Sequence, residues 1–234
     1  MAYREYKGNL FASSAQTLVN TVNCVGVMGK GVALEFRRRF PQMFEEYKRV
    51  CIAGILKPGQ ILPYRKDRPW VLNFAVKNDW RHPSRMEWVE SCLRKFVESY
   101  RTLGITSVAM PWIGAMNGRL PWEEVHALMR SYLQGLRDIE VEVVEFDSKA
   151  ADPLFEALRS ASERLGASEL AEMAEIPEGV AASIVRALRN HAVHSLPTVL
   201  ALDRCGGKSA DRLYDFLRRY QARALPGAVQ SHLL

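Results

Sequence analysis

Residues 18–40 read Leu-Val-Asn-Thr-Val-Asn-Cys-Val-Gly-Val-Met-Gly-Lys-Gly-Val-Ala-Leu-Glu-Phe-Arg-Arg-Arg-Phe. No other stretch constrains the fold as tightly. An apolar strand runs into a glycine-spaced loop, and the loop opens into a helix that must stop at Pro41. A strand, a loop of exposed backbone N–H groups and a helix N-terminus together suit a phosphorylated ligand. Gly26, Gly29 and Gly31 allow close backbone approach. The loop is not a Walker A motif, because Gly29-Lys30-Gly31 is not followed by Ser or Thr, and it is not GxGxxG. Any phosphate grip must then come from backbone N–H groups of Gly29–Val32. The plain alternative is a glycine turn needed only for packing. Asn23 adds weight to the ligand reading, since an amide can both donate to and accept from ribose hydroxyls. Asn20 is expected instead to cap a turn.

The rest of the first 150 residues alternates in the same way. Strands are expected at 3–6, 17–22, 60–63, 70–76, 106–110 and 141–146. Helices are expected at 32–40, 42–51, 85–103 and 123–136. Strands apolar on both faces between helices predict a sheet covered on both sides. From Ser148–Pro153 onward no strand is evident. Helical patterns at 154–165, 168–174, 178–192, 196–202 and 209–222 are separated by Gly166, Pro177, Pro197, Gly206-Gly207 and Pro226-Gly227. The expected division is an α/β domain at 1–150 and a small all-helical domain at 151–234.

Charge follows that division. Residues 1–150 carry 22 Lys+Arg against 16 Asp+Glu, and residues 151–234 carry 10 against 10, so the net +6 lies in the first part. That suits an anionic or nucleic-acid-linked ligand, although a generally basic surface would look the same. No apolar run approaches the roughly 20 residues needed to span a bilayer. The N-terminus lacks a signal-peptide core. The four cysteines show no ligand spacing, so a reducing cytoplasm is expected, with neither disulfides nor structural zinc.

A second loop, Pro111-Trp112-Ile113-Gly114-Ala115-Met116-Asn117-Gly118-Arg119-Leu120, also joins a strand to a helix. In an open α/β sheet, ligands sit beyond the carboxyl ends of strands. Two such loops can clamp a diphosphate.

With both loops in view, the Val-Asn-Thr-Val-Asn-Cys-Val-Gly-Val-Met-Gly-Lys-Gly-Val-Ala run resembles the ADP-ribose-binding loop of macrodomains. It is most similar to the DarG antitoxins, DNA ADP-ribosyl glycohydrolases that oppose DarT toxins. Gly8-Asn9-Leu10 matches their adenine-proximal start. Leu72-Asn73-Phe74-Ala75-Val76-Lys77-Asn78-Asp79-Trp80-Arg81 resembles their segment carrying a functional lysine. The resemblance covers about residues 1–146. It implies a three-layer α/β/α macrodomain with a mixed sheet, followed here by the helical domain. It also implies roles by position. Asn9 and Leu10 meet the adenine. Gly29, Lys30, Gly31 and Val32 hold phosphate. Asn23 faces the distal ribose. Gly114, Ala115, Met116, Asn117 and Gly118 close over the diphosphate and that ribose, and Lys77 is catalytic. Implied partners are ADP-ribose, ADP-ribosylated single-stranded DNA and a DarT-like toxin; no cofactor, metal or membrane is expected. Where related second loops usually carry Gly-Cys-Gly-Asn-Gly-Gly-Leu, this chain has Met116 and Arg119. It also has Gly118 near the position of an acid used by lysine-dependent human-type relatives.

Lys77 makes chemical sense independently. An amine half-withdrawn from water and close to other cations (Lys30 and Arg81 in this expectation) has a lowered pKa and becomes nucleophilic. Its ammonium could instead stabilise a departing base. The plain alternative is a solvated loop lysine. Asp79 is a conceivable helper. Trp80, Arg81 and Trp112 are candidate substrate or base contacts, though tryptophan more often packs. Arg37-Arg38-Arg39 reads as a solvated basic face or a DNA-phosphate contact. Cys24 reads as a small buried residue, and His191 with His194 as helix surface. Residues 170–188 loosely fit a helix-turn-helix with Glu175 at the turn; a packing or partner-binding bundle is the alternative. The rival readings of the whole chain are a non-catalytic ADP-ribose reader and a DNA-binding regulator.

Overall fold

The computed structural model describes residues 3–114, 117–190, 193–202 and 205–224. The chain divides into two compact units, Met1–Asp147 and Ser148–Leu234.

The first unit is built on one six-stranded sheet. Its strands are β1 (Tyr3–Gly8), β2 (Thr17–Val22), β3 (Ile61–Tyr64), β4 (Trp70–Ala75), β5 (Ser107–Pro111) and β6 (Glu140–Phe146). The spatial order is β1-β6-β5-β2-β4-β3. All pairings are parallel except β3 with β4, so the sheet is mixed. Pro63 lies within β3, which is tolerable because an edge strand need not donate on its outer side. Helices α1 (Gly31–Arg39), α2 (Pro41–Ile52), α3 (Met86–Ser99) and α4 (Trp122–Leu133) complete the unit. Pro41 ends α1 and begins α2, where its missing N–H is harmless.

Alternation along the central strands sorts side chains between two cores. Val19, Leu72, Phe74, Val108 and Met110 pack with Val89, Leu93 and Phe96 of α3 and Val125, Met129 and Leu133 of α4. Leu18, Val22, Val71, Ala75 and Ala109 pack with Phe36 of α1 and Met43, Tyr47 and Cys51 of α2. This is a three-layer α/β/α arrangement. The strands at its centre, β2 and β4, are buried on both faces, which is why they read as near-continuous apolar runs.

One polar pair interrupts that centre. Asn20 and Asn73 are register partners across β2 and β4 and are 0% and 1% exposed. Asn20 Nδ2 donates to Asn73 Oδ1 at 2.9 Å. Asn20 is thus a mid-strand residue and not a turn cap. A directly opposed, hydrogen-bonded amide pair favours one register over its slipped neighbours. At the sheet's far side, Glu142 is buried and accepts from Tyr6 at 2.6 Å, Ser13 at 2.9 Å and Arg4 at 2.5 Å. Burial pushes its pKa up, but those three donors outweigh burial and leave it below the ordinary value.

The second unit contains α5 (Pro153–Ala174), α6 (Glu178–Leu188), α7 (Leu196–Leu202) and α8 (Gly207–Ala224) around one apolar core. No strand occurs among its described residues. The expected break at Gly166 is a kink inside α5, where φ is +70° and ψ −171°. Buried Asp152 caps α5 by accepting from Leu154 N at 3.1 Å, and its other oxygen accepts from Leu196 N at 3.4 Å. Glu175 turns the chain between α5 and α6 in the left-handed region (φ +54°), a conformation glycine more often supplies.

Among the described residues no helix is long and apolar enough to cross a membrane, and no cluster of three or more metal-ligating side chains occurs.

Candidate functional site

β5, β2 and β4 are neighbours running in one direction, so their carboxyl ends open at the same edge of the sheet. Three segments leave from that edge: the first loop after β2, the Lys77 segment after β4 and the second loop after β5.

The first loop is organised by one side chain. Asn23 Oδ1 accepts from Val25 N at 3.0 Å and Val27 N at 3.3 Å, while its Nδ2 donates to Val27 O at 2.5 Å. Tyr47 of α2, fully buried, donates its hydroxyl to Asn23 O at 2.8 Å and approaches Oδ1 at 3.1 Å. Asn23 is only 6% exposed. The residue expected to face a ribose therefore has its amide engaged in holding Asn23–Val27 in shape. Cys24 N donates to Asn78 O at 3.0 Å, and Val76 N and Lys77 N donate to Val22 O at 3.1 and 3.3 Å. These bonds fasten the first loop to the β4 exit.

Past this fastening the loop lies open. Gly29, Lys30 and Gly31 are exposed and Val32 is half-buried. Lys30 is the N-cap of α1 and makes no side-chain capping bond. The first turn of α1 thus starts without a side-chain cap from its N-cap residue, the condition under which a helix start attracts an anion.

The second loop is folded tightly on itself. Leu120 N donates to Gly114 O at 3.1 Å and Ser84 N to Gly118 O at 2.9 Å. Gly118 lies so close to Gly114 that an added Cβ would stand 2.1 Å from Gly114 O. Gly114 has φ +70° and Arg119 has φ +60°. Ala115 and Met116, expected to help close over the diphosphate, lie outside the described residues.

Asn117 joins all three segments. Lys77 Nζ donates to Asn117 O at 2.6 Å. The Asn117 side-chain amide rests against Gly31, where an added Cβ would come within 2.5 Å of Nδ2. Lys77 is half-buried, and its pKa is lowered, first by burial and then by the nearby charge of Arg119. The neighbouring cation is thus Arg119 and not Arg81. Arg81 is bound to Asp79, with Nε to Oδ1 at 3.0 Å and Nη2 to Oδ2 at 2.9 Å. That same pair engages both carboxylate oxygens of Asp79.

The remaining candidates separate into exposed and engaged groups. Trp80 is 52% exposed, with the Arg81 guanidinium 5.5 Å from its ring centre. Trp112 is stacked on Trp122 at 3.5 Å and 11°, and Trp122 in turn on His126 at 5.0 Å, so its ring is taken up in packing. Asn9 accepts from Phe11 N at 3.0 Å as the cap of a short 3-10 turn, and Leu10 is buried in the α1/α2 core. Cys24 has its thiol pushed up to about 12, chiefly by burial, which removes it as a nucleophile. Arg39 is not solvated. It is bound to Glu35 at 3.3 Å and sits 4.3 Å from the Phe11 ring centre.

Sequence reasoning missed two residues. Tyr47 supports Asn23 from a helix 24 residues away, and its only sequence signal is the buried Met43/Tyr47/Cys51 spacing. Arg119 was noticeable only as bulk among glycines.

The Macro domain family matches residues 19–129. A solved structure described as the macrodomain of Thermus aquaticus DarG is 44% identical, with a TM-score of 0.58 over 61% of this chain and 97% of that one. The chain belongs to the macrodomain family. The macrodomain of Mycobacterium tuberculosis DarG is 37% identical with a TM-score of 0.58, covering 61% of this chain and 96% of that one. Thermosipho africanus DarTG in complex with ADP-ribose is 33% identical with a TM-score of 0.59, covering 65% of this chain and 43% of that one. A Thermus aquaticus protein named DNA ADP-ribosyl glycohydrolase is 44% identical over 146 residues, which are 61% of this chain and 41% of that protein. The chain therefore spans about two fifths of the length of the curated relatives named DNA ADP-ribosyl glycohydrolase.

Proposed function

We propose that this macrodomain binds ADP-ribose and hydrolyses the N-glycosidic bond between ADP-ribose and a base of single-stranded DNA, as antitoxin to a DarT-like transferase. The observation that carries this reading is the meeting of Lys77, Asn117 and Gly31. It sets one amine of lowered pKa between a helix start suited to phosphate and a loop that can close over the sugar. The names of the relatives support the substrate. One, from Thermosipho africanus, is a DNA ADP-ribosyl transferase–DNA ADP-ribosyl glycohydrolase fusion protein, which supports the transferase partner.

The uncapped N–H groups at Gly31–Val32 take a phosphate of the diphosphate. The second loop, ending at Gly114 and Gly118, closes over the distal ribose. Lys77, as neutral amine, attacks the anomeric carbon. The bond from that carbon to the base nitrogen breaks, and the base leaves with the proton that the attacking nitrogen loses; the ring of the resulting glycosylamine opens to a Schiff base. Water then releases ADP-ribose from the lysine adduct and restores the amine. Burial and the Arg119 charge raise the fraction of Lys77 that is neutral at working pH.

The test compares wild type with Lys77→Ala on ADP-ribosylated single-stranded DNA, with borohydride added to trap an adduct. Release by wild type, loss in the variant and a trapped wild-type adduct are expected. Full activity of Lys77→Ala overturns the mechanism. Tight ADP-ribose binding with no release from any substrate would leave a reader of ADP-ribose.

A further inference from the structure

We propose that Arg119 is a further binding residue of this site that contacts a phosphate of the substrate. The proposal rests on the ADP-ribose reading above and names a contact that reading leaves out.

The first observation is conformational. Arg119 holds φ at +60°, a state shared among the described non-glycine residues only by Glu175. A side chain there costs on the order of 1 kcal/mol, and a glycine would remove that cost. Gly118 next to it cannot be replaced without collision, so the turn's shape is set by its neighbours and not by Arg119. The chain keeps a long cation where its own backbone favours no side chain.

The second observation is electrostatic. Arg119 follows by two residues the carbonyl that Lys77 Nζ binds, and its charge reaches Lys77. The turn whose backbone meets Lys77 therefore also carries a second cation, and its charge acts on the amine. Such a pair is repulsive when empty and becomes favourable when an anion lies between or against them.

The third observation is availability. Arg119 is exposed, and among the described residues no carboxylate pairs with it. Arg4, Arg81 and Arg101 are each bound to an acid, Glu142, Asp79 and Asp138 respectively. A guanidinium left free presents the planar fork that matches phosphate oxygens in pairs.

That phosphate has two sources in this substrate: the diphosphate of ADP-ribose, or a phosphodiester beside the modified nucleotide. The experiment measures equilibrium binding in a Lys77→Arg background, which removes the nucleophilic amine so that nothing is consumed but keeps a cation against the turn. Arg119 is compared with Arg119→Gly and Arg119→Lys. The probes are free ADP-ribose, an ADP-ribosylated single-stranded oligonucleotide and an ADP-ribosylated nucleoside lacking phosphodiesters. Thermal melts accompany each variant, and Arg119→Gly is expected to melt no lower than its parent because it relieves the turn.

A diphosphate contact weakens all three probes about tenfold in Arg119→Gly, in line with one lost charge-assisted bond. A phosphodiester contact weakens only the oligonucleotide and lowers the slope of log affinity against log salt by about 0.7. Arg119→Lys falls between, because it keeps charge and loses the fork. Unchanged affinity for all three probes in a folded Arg119→Gly overturns the proposal. These binding measurements stand apart from turnover, so a wild type that binds but releases nothing refutes only the hydrolytic reading.

Discussion

The two loops that open at the sheet's edge are built by opposite means. The first is shaped from behind. Asn23 gathers its backbone, buried Tyr47 holds Asn23, and Gly29 and Gly31 beyond are exposed. The second is shaped from within, by Gly114 and Gly118 in near contact and by the bonds to Ser84 and Lys77. A loop braced by a helix presents N–H groups at fixed positions, which is what a phosphate requires. A loop held partly through Lys77 can release or tighten as that lysine acts in the proposed reaction. In the proposed function the first loop carries recognition, while the second couples recognition to chemistry.

The sharpest way to separate those roles is Lys77→Ala. Turnover should fall by about a thousandfold or more while ADP-ribose affinity, measured by calorimetry, changes little. Equal losses in both would merge the two roles. Gly118→Ala comes next. A methyl facing Gly114 O has no flexible neighbour to displace, so the second loop must open, weakening ADP-ribose binding by about ten- to a hundredfold. Retained affinity would mean that this loop does not cover the ligand.

Tyr47→Phe addresses the first loop. It leaves Asn23 O without its buried donor, at an expected loss of about 1–2 kcal/mol in chemical denaturation, with weaker ADP-ribose binding but an unshifted pH profile. A pH shift in that variant would show that the two loops are not independent.

The smallest effect is the position of the profile itself. With attack by the neutral amine as proposed, kcat/KM is expected to rise with pH and level off above the Lys77 pKa, which burial and then Arg119 hold below the ordinary lysine value. Removing the Arg119 charge raises that pKa, so the rising limb moves to higher pH in Arg119→Gly. A profile that does not move would uncouple Arg119 from Lys77.

The alternation of strands and helices was readable because each central strand is buried on both faces and each helix shows one apolar stripe. Pro41 and Gly166 announced their own breaks through backbone chemistry that acts locally. The glycine loop and the lysine at the end of β4 were readable for the same reason, as both are contiguous in sequence. The partners of those residues were not. Asp79 and Arg81 look like candidate machinery for Lys77, yet two residues of opposite charge so close together bind each other first. Trp112 looks like a stacking platform until Trp122, ten residues on, is found against its face.

By itself, then, the sequence determined the layered α/β unit, the helix start suited to phosphate and the lysine beyond β4, since hydrophobic period, glycine and proline act over a few residues. Only the tertiary structure decided which side chains remain free. Asn23 is engaged by Tyr47 from 24 residues away, and the charge of Arg119 acts on Lys77 across 42. The reason is topological. Parallel strands bring their carboxyl ends together only after each crossover helix has been traversed, so groups that share a site lie far apart along the chain.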